Sequence, residues 1–265
     1  MSGRVRLDQL LVDRGLAATR VRAQALLLAG QVRVGAGDGA RFDRKAGDLV
    51  APDMALGLVE APPFVSRGGE KLAAALDAFG VDPAGRICLD VGASTGGFTD
   101  CLLQRGASRV YALDVGRGQL ADSLRADPRV VSLERTHVRR LLPTDPQPVR
   151  LPEAPSLVTA DVSFIGLSAV LPALVAQLAP GGEVVGLVKP QFEAGPAQVR
   201  RGVVRDPAVR RAAVEQVKAT AHACGLEVLG EVESPLVGPA GNHEWFVHVR
   251  AADPAGGRVE GSVAP

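Results

Sequence analysis

Lysine is scarce in this chain of 265 residues: of its 30 basic residues, 4 are lysine and 26 are arginine. Arginine carries the same charge and suits a helix equally well. General electrostatics therefore do not require Lys45, Lys71, Lys189 or Lys218 to be lysines. An ammonium differs from a guanidinium in that a tuned site can remove its proton. Cysteine is rarer still. Cys88, Cys101 and Cys224 lie far apart, form no CxxC pair and are odd in number, which argues against a disulfide framework and fits a reducing cytoplasm. No apolar run approaches the roughly 18–20 residues that span a bilayer. "ALLLAG" is too short and too far from the start to serve as a signal-peptide core. A net charge of +1 excludes a polycation, so nucleic-acid binding must come from local clustering. There is no H-x-x-x-H and no Cys/His cluster, and no metal is expected. GxGxxG and GxxxxGK[ST] are both absent, which disfavours a dinucleotide cofactor and nucleotide hydrolysis.

What is present is the composition of a packed protein, 46% hydrophobic and 22% charged. Residues 1–61 read as a small separate α+β unit. In "RLDQLLVDRGL", Leu7, Leu10 and Leu11 share a helical face that Gly15 ends. Thr19 caps a second helix in which Val21, Ala25 and Leu28 share a face, and Gly30 stops it. "QVRV" and "DLVA" read as short strands. Within residues 1–34, six arginines (4, 6, 14, 20, 22 and 33) outnumber Asp8 and Asp13, a local charge of 6 − 2 = +4. Two readings fit, a solvated helix face or an RNA-phosphate platform. On the second, Arg4, Arg6, Arg20, Arg22 and Arg67 are the RNA-binding candidates.

Residues 62–69 form a linker, with Pro62 and Pro63 stiffening it and Gly68 and Gly69 closing it. Over 70–251 helices alternate with strands that are apolar throughout. That pattern predicts an α/β fold, a mostly parallel Rossmann-like sheet with helices on both faces. Residues 252–265 have no periodic face and read as a disordered tail. Ligands of such sheets sit beyond the carboxyl ends of the strands. There the sequence places Asp90 after "ICL", Asp114 after "YAL", Asp161 after "LVTA" and Lys189 after "VVGLV". "LDVGASTGGFTD" runs from strand through a small-residue turn into a helix. Its glycines allow close backbone approach, and the helix N-terminus favours negative charge. An acid opening this turn and another ending the next strand suit S-adenosylmethionine. Asp90 would lie near the methionine end and Asp114 on the ribose hydroxyls. Gly92, Ser94, Thr95, Gly96, Gly97, Phe98 and Glu134 complete the cofactor candidates. The other reading is a tight turn that needs glycine only for packing. Lys71 and Lys189 flank this edge. Glu244, in "GNHEWF", balances charge there or completes a Lys71, Asp161, Lys189, Glu244 set.

Taken in order, these stretches resemble known families. "RLDQLLVDRGLAATRVRAQALLLAGQVRVG" resembles the RNA-binding fold of ribosomal small-subunit protein four. "VSRGGEKL", "CLDVGASTGGFTD", "ALDVGRGQL", "ERTHVR", "ADVSFI", "LVKPQFE" and "GNHEWF" together resemble the TlyA, or hemolysin-A-type, family with its FtsJ-like methyltransferase domain. The resemblance implies S-adenosylmethionine-dependent 2′-O-methylation of a cytidine ribose in ribosomal RNA within a ribosomal subunit. It implies a catalytic lysine, aspartate, lysine and glutamate at Lys71, Asp161, Lys189 and Glu244. Lys189 is then either the base for the 2′-hydroxyl or its electrostatic guide. The rival expectations are an RNA-binding protein with an inactive methyltransferase fold and a membrane-active hemolysin.

Overall fold

The computed structural model describes residues 3–28, 30–41, 44–59, 62–238 and 240–252. The chain divides into two units, Met1–Pro63 and Phe64–Pro265. All but one residue of the expected tail, 253–265, lie outside the described residues.

The first unit runs β1 (Val5–Arg6), α1 (Leu7–Asp13), α2 (Arg20–Leu28), β2 (Val32–Val34), β3 (Leu49–Val50) and β4 (Leu56–Leu58). β1 pairs antiparallel with β3, and β2 with β4. The Thr19 hydroxyl accepts the Arg22 amide at 3.2 Å, as an N-cap does, and Gly30 ends the helix at φ 67°. Leu7, Leu10 and Leu11 are buried as their spacing predicts. The inward face of α2 is not the expected one. Val21 and Leu28 are 78% and 92% exposed, while Ala23, Leu26 and Leu27 enter the core. This short helix has two apolar stripes, and the leucines of α1 select between them.

The second unit runs α3 (Arg67–Phe79), β5 (Ile87–Val91), α4 (Gly97–Gln104), β6 (Arg109–Leu113), α5 (Asp122–Arg125), β7 (Val130–Leu133), β8 (Leu157–Ala160), α6 (Leu167–Val175), β9 (Glu183–Val188), α7 (Pro190–Glu193), α8 (Pro207–Ala223), β10 (Leu226–Glu233) and β11 (Trp245–Ala251). One seven-stranded sheet has the order β10-β11-β9-β8-β5-β6-β7. The five strands from β9 to β7 are parallel, and β11 enters antiparallel beside β9. Successive residues of β5 feed opposite faces: Leu89 joins one core with Val91, Leu171 and Val214, and Cys88 joins the other with Leu72, Leu102 and Phe246. Burial on both faces explains why these strands are apolar without alternation. Because β5, β6, β8 and β9 are parallel, their carboxyl ends share one edge of the sheet.

α3 begins inside the stretch read as linker. Ser66 is its N-cap and Arg67 its first residue. Gly69 is therefore a packing residue, since a Cβ there would overlap the Phe64 ring.

Candidate active site

Two ion pairs face one cavity of about 800 Å³ at this edge. Lys71, in the second turn of α3, donates to Glu244 Oε2 at 2.5 Å. Both are buried, at 6% and 1% exposure. Lys189 is the N-cap of α7, where Pro190 ends the ladder of β9. Its Nζ lies 2.5 Å from Asp161 Oδ1, off hydrogen-bonding alignment, and donates to Ser163 Oγ at 3.0 Å. Asp161 follows β8 and Glu244 precedes β11, so four separate elements supply the set. Two unit charges about 4 Å apart at a partly buried site attract by about 4 kcal/mol. Each ammonium here has its own carboxylate closer than that, which fixes both cations at the cavity wall.

The glycine turn forms the adjoining wall. Gly92, Ser94, Thr95, Gly97 and Phe98 line the same cavity. Gly92 has φ 85°, and a Cβ on it would collide with the Asp161 carbonyl oxygen, so the turn and Asp161 pack backbone to backbone. Ser94 is held at φ 49° and its N–H donates to Asp114 Oδ2 at 2.8 Å. Gly116 N–H donates to Asp114 Oδ1 at 2.6 Å. Asp114 borders a second cavity of about 740 Å³ with Val115, His137, Val138 and Ile165. Gly92, Ser94, Asp161, Ser163 and Phe164 border both spaces, which are therefore neighbours.

Three cofactor candidates line neither of these two spaces, although Glu134 shares a smaller pocket with Ser94 and Asp114. Asp90 lines neither cavity. It is fully buried below the turn, accepting from Thr99 Oγ1 at 2.7 Å and Thr159 Oγ1 at 3.3 Å. Burial pushes its carboxyl up to about 7 against those bonds, and the Asp161 charge adds to the rise. Its side chain points at α4 because strand residues alternate faces. Gly96, at φ 97°, packs on Leu120 and Leu124. Glu134 accepts Gly118 N–H at 3.0 Å and pairs with Arg125 at 3.2 Å.

Of the RNA candidates, Arg6 and Arg20 both pair with Asp8, a buried carboxylate that also accepts from Gln24. The Arg6 guanidinium holds the Asp8 carboxyl far below the usual range, against its burial. Both guanidinium side chains remain about half exposed, at 47% and 49%. Arg4 and Arg22 are exposed. Arg67 donates to the Val237 carbonyl at 2.8 Å and borders the cavity of the ion pairs.

Three residues that the sequence reading passed over belong to the site. Phe164 is 93% exposed, at φ 67°, with its ring 5.6 Å from that of Phe192. An exposed aromatic in left-handed backbone is the signal that was available only in three dimensions. His137 borders the second cavity, with Nδ1 accepting from Arg139 N–H at 3.1 Å. Asn242 is buried at 1% and lines the cavity of the ion pairs. No cysteine lies in a position to act as nucleophile there. Cys88 and Cys101 are buried, and burial pushes both thiols up to about 12.

Residues 64–251 match the model of the FtsJ-like methyltransferase family. Over 253 residues the chain is 49% identical to the 16S/23S rRNA (cytidine-2′-O)-methyltransferase TlyA of Mycobacterium tuberculosis, covering 94% of this chain and 91% of that protein. The chain belongs to the TlyA family of FtsJ-like methyltransferases. A second relative, Hemolysin A of Brachyspira hyodysenteriae, is 38% identical over 92% of this chain and 99% of its own. A solved structure of a Streptococcus thermophilus protein described as a hemolysin superposes with TM-score 0.70 at 42% identity, covering 96% of this chain and 90% of that one. Among the described residues of this TlyA-family chain, no helix is long and apolar enough to cross a membrane.

Proposed function

We propose that this enzyme transfers a methyl group from S-adenosylmethionine to the 2′-hydroxyl of a cytidine in ribosomal RNA, in the reducing compartment where ribosomal subunits are found. The observation that carries the proposal is the pair of lysine–carboxylate contacts facing one cavity beside the glycine turn. The relatives supply the substrate class, since the Mycobacterium tuberculosis protein is named for this reaction.

The residues present fit the cofactor. Gly92 lets the turn lie backbone to backbone on Asp161 and borders both cavities, and the Asp114 carboxylate stands at the end of β6, where a ribose diol is usually bound. Val115, Val138 and Ile165 offer apolar walls for a base. When bound, S-adenosylmethionine supplies an electrophilic methyl on a sulfonium. Gly92, Ser94 and Asp114 would hold it across the two neighbouring spaces.

The rest is the work of this chain's own side chains. A ribose hydroxyl is a poor nucleophile and must be oriented and relieved of its proton as the O–C bond forms. Lys189 Nζ is the central group for the 2′-oxygen, and Asp161 and Ser163 fix its direction. Lys71, locked by Glu244, adds a second cation to the same wall. Both lysines stabilise negative charge developing on the 2′-oxygen. If Lys189 acts as a base, its neutral amine takes the hydroxyl proton as the O–C bond forms; if it acts only as a cation, that proton passes to solvent. Phe164, exposed at the rim, is a stacking surface for a nucleobase drawn out of its helix.

Methyl mapping of ribosomal RNA from cells with and without the gene tests the proposal directly. At least one cytidine 2′-O-methyl group that disappears with the gene is expected. Identical maps, or no S-adenosylmethionine binding by calorimetry at millimolar cofactor, would leave an RNA-binding protein with an inactive methyltransferase fold.

A further inference from the structure

We infer that the tight hairpin Arg200–Val203 is an RNA-phosphate clamp at the mouth of the cavity, with Arg201 as its tip. This rests on the proposed RNA reaction and goes beyond it by assigning a binding site for the phosphates that flank the target ribose.

Arg200 and Val203 exchange both backbone hydrogen bonds, each 3.0 Å, leaving Arg201 and Gly202 as a two-residue turn. Both have positive φ, 52° and 78°, as a type I′ turn requires. Gly202 tolerates this freely. Arg201 does not, since asparagine, aspartate or glycine is usual there and a long side chain is strained. Strain of this kind persists where surrounding contacts over-determine it, and here they do. Asn242, itself buried, accepts Val204 N–H at 3.0 Å and donates to the Gly202 carbonyl at 2.8 Å. Arg210 Nε donates to the Val204 carbonyl at 2.9 Å, and the Val204 side chain is fully buried. Backbone and anchor are thus fixed, while the Arg200, Arg201 and Arg205 side chains are exposed.

These cations are also free. Among the described residues, no ion pair or hydrogen bond engages the side chain of Arg200, Arg201 or Arg205. Elsewhere arginines are commonly paired, as Arg86 is with Glu183 and Arg211 with Glu231. Val199 and Gly202 border the same cavity as Lys71 and Lys189. A ribose entering that cavity carries a phosphate on each side, and both must pass its lip. A rigid loop presenting unpaired guanidiniums there meets a polyanion with little ordering cost.

The test uses the full-length enzyme with small and large ribosomal subunits isolated separately from cells lacking the gene. Arg201→Gly removes the cation and relieves the turn, so the thermal midpoint is expected to hold or rise. KM for the subunit that is methylated should increase with kcat unchanged. Loss of one phosphate contact also flattens the salt dependence: a fourfold rise in salt should weaken the wild type about threefold more than the variant. Arg201→Lys should restore most of the slope, which a purely structural role for Arg201 would not predict. Wild-type methylation together with an unchanged KM and salt slope for Arg201→Gly overturns the clamp and leaves the methyltransferase reading intact. A wild type that methylates neither subunit overturns both.

Discussion

Lys71 and Glu244, 173 positions apart in sequence, meet as a buried ion pair at 2.5 Å. The contact ties the first helix of the second unit to the last strand of its sheet. Removing one partner strands the other as a buried charge, which typically costs about 3–5 kcal/mol. Glu244→Gln should therefore lower stability by an amount of that order and abolish most methyl transfer. The double variant Lys71→Met/Glu244→Leu should regain most of the stability without regaining activity. Chemical denaturation alongside a tritiated-methyl assay separates these effects, and a double variant as unstable as the single one would contradict the account.

Lys189 distinguishes proton transfer from charge alone. Arg keeps the cation but does not readily lose a proton. If Lys189 is the base, Lys189→Arg should fall by about 10²–10⁴-fold in kcat, the usual range for a general base. Wild-type turnover by Lys189→Arg would exclude the base role and leave electrostatic stabilisation by the Lys189–Asp161 pair.

Asp90 predicts a pH dependence of stability. Its folded carboxyl is raised to about 7 from an ordinary 3.8. Between those values the folded state keeps a proton that the unfolded state has released. Its contribution is thus complete below about pH 4 and is lost as pH rises to about 7, by about 1.4 kcal/mol per unit at most. Asp90→Asn keeps the shape and removes the titration. Unfolding curves at about pH 5 and about pH 7 should converge in that variant, and an unchanged difference would show the slope to arise elsewhere.

Gly92→Ala should be severe although it adds one methyl group. Its Cβ would displace the Asp161 carbonyl, at a backbone φ of 85° that costs roughly 1–3 kcal/mol for a non-glycine residue. A shift of Asp161 by about 1 Å is enough to cost about 10²-fold in rate. Calorimetry should show weakened S-adenosylmethionine binding as well. Near-normal turnover would mean that the turn yields without moving Asp161.

Phe164→Ala should leave stability nearly unchanged, because the ring is 93% exposed and alanine keeps the same Cβ at this position. RNA binding should weaken by about 1–3 kcal/mol, the range for one stacked base. S-adenosylmethionine affinity should not change. A stability loss without an RNA defect would make Phe164 a packing residue for Phe192.

Much of this protein is legible in one dimension. Periodicity and apolar runs mark the strands and helices of the large unit, because burial on both faces of a parallel sheet leaves uniformly apolar stretches. Asp114, Asp161 and Lys189 stand out because charges that end such strands gather at one edge. Lys71 stands out by composition. The sequence could not decide which apolar stripe of α2 turns inward, because α1 makes that choice. It could not show that Asp90 points beneath the glycine turn toward Thr99 and Thr159, since one step along a strand reverses the side chain. Only the tertiary structure pairs Lys71 with Glu244 and Lys189 with Asp161, and only it places Asn242 beneath the Arg201 turn. Those contacts join residues remote in sequence, and local patterning contains no term for which charge will meet which.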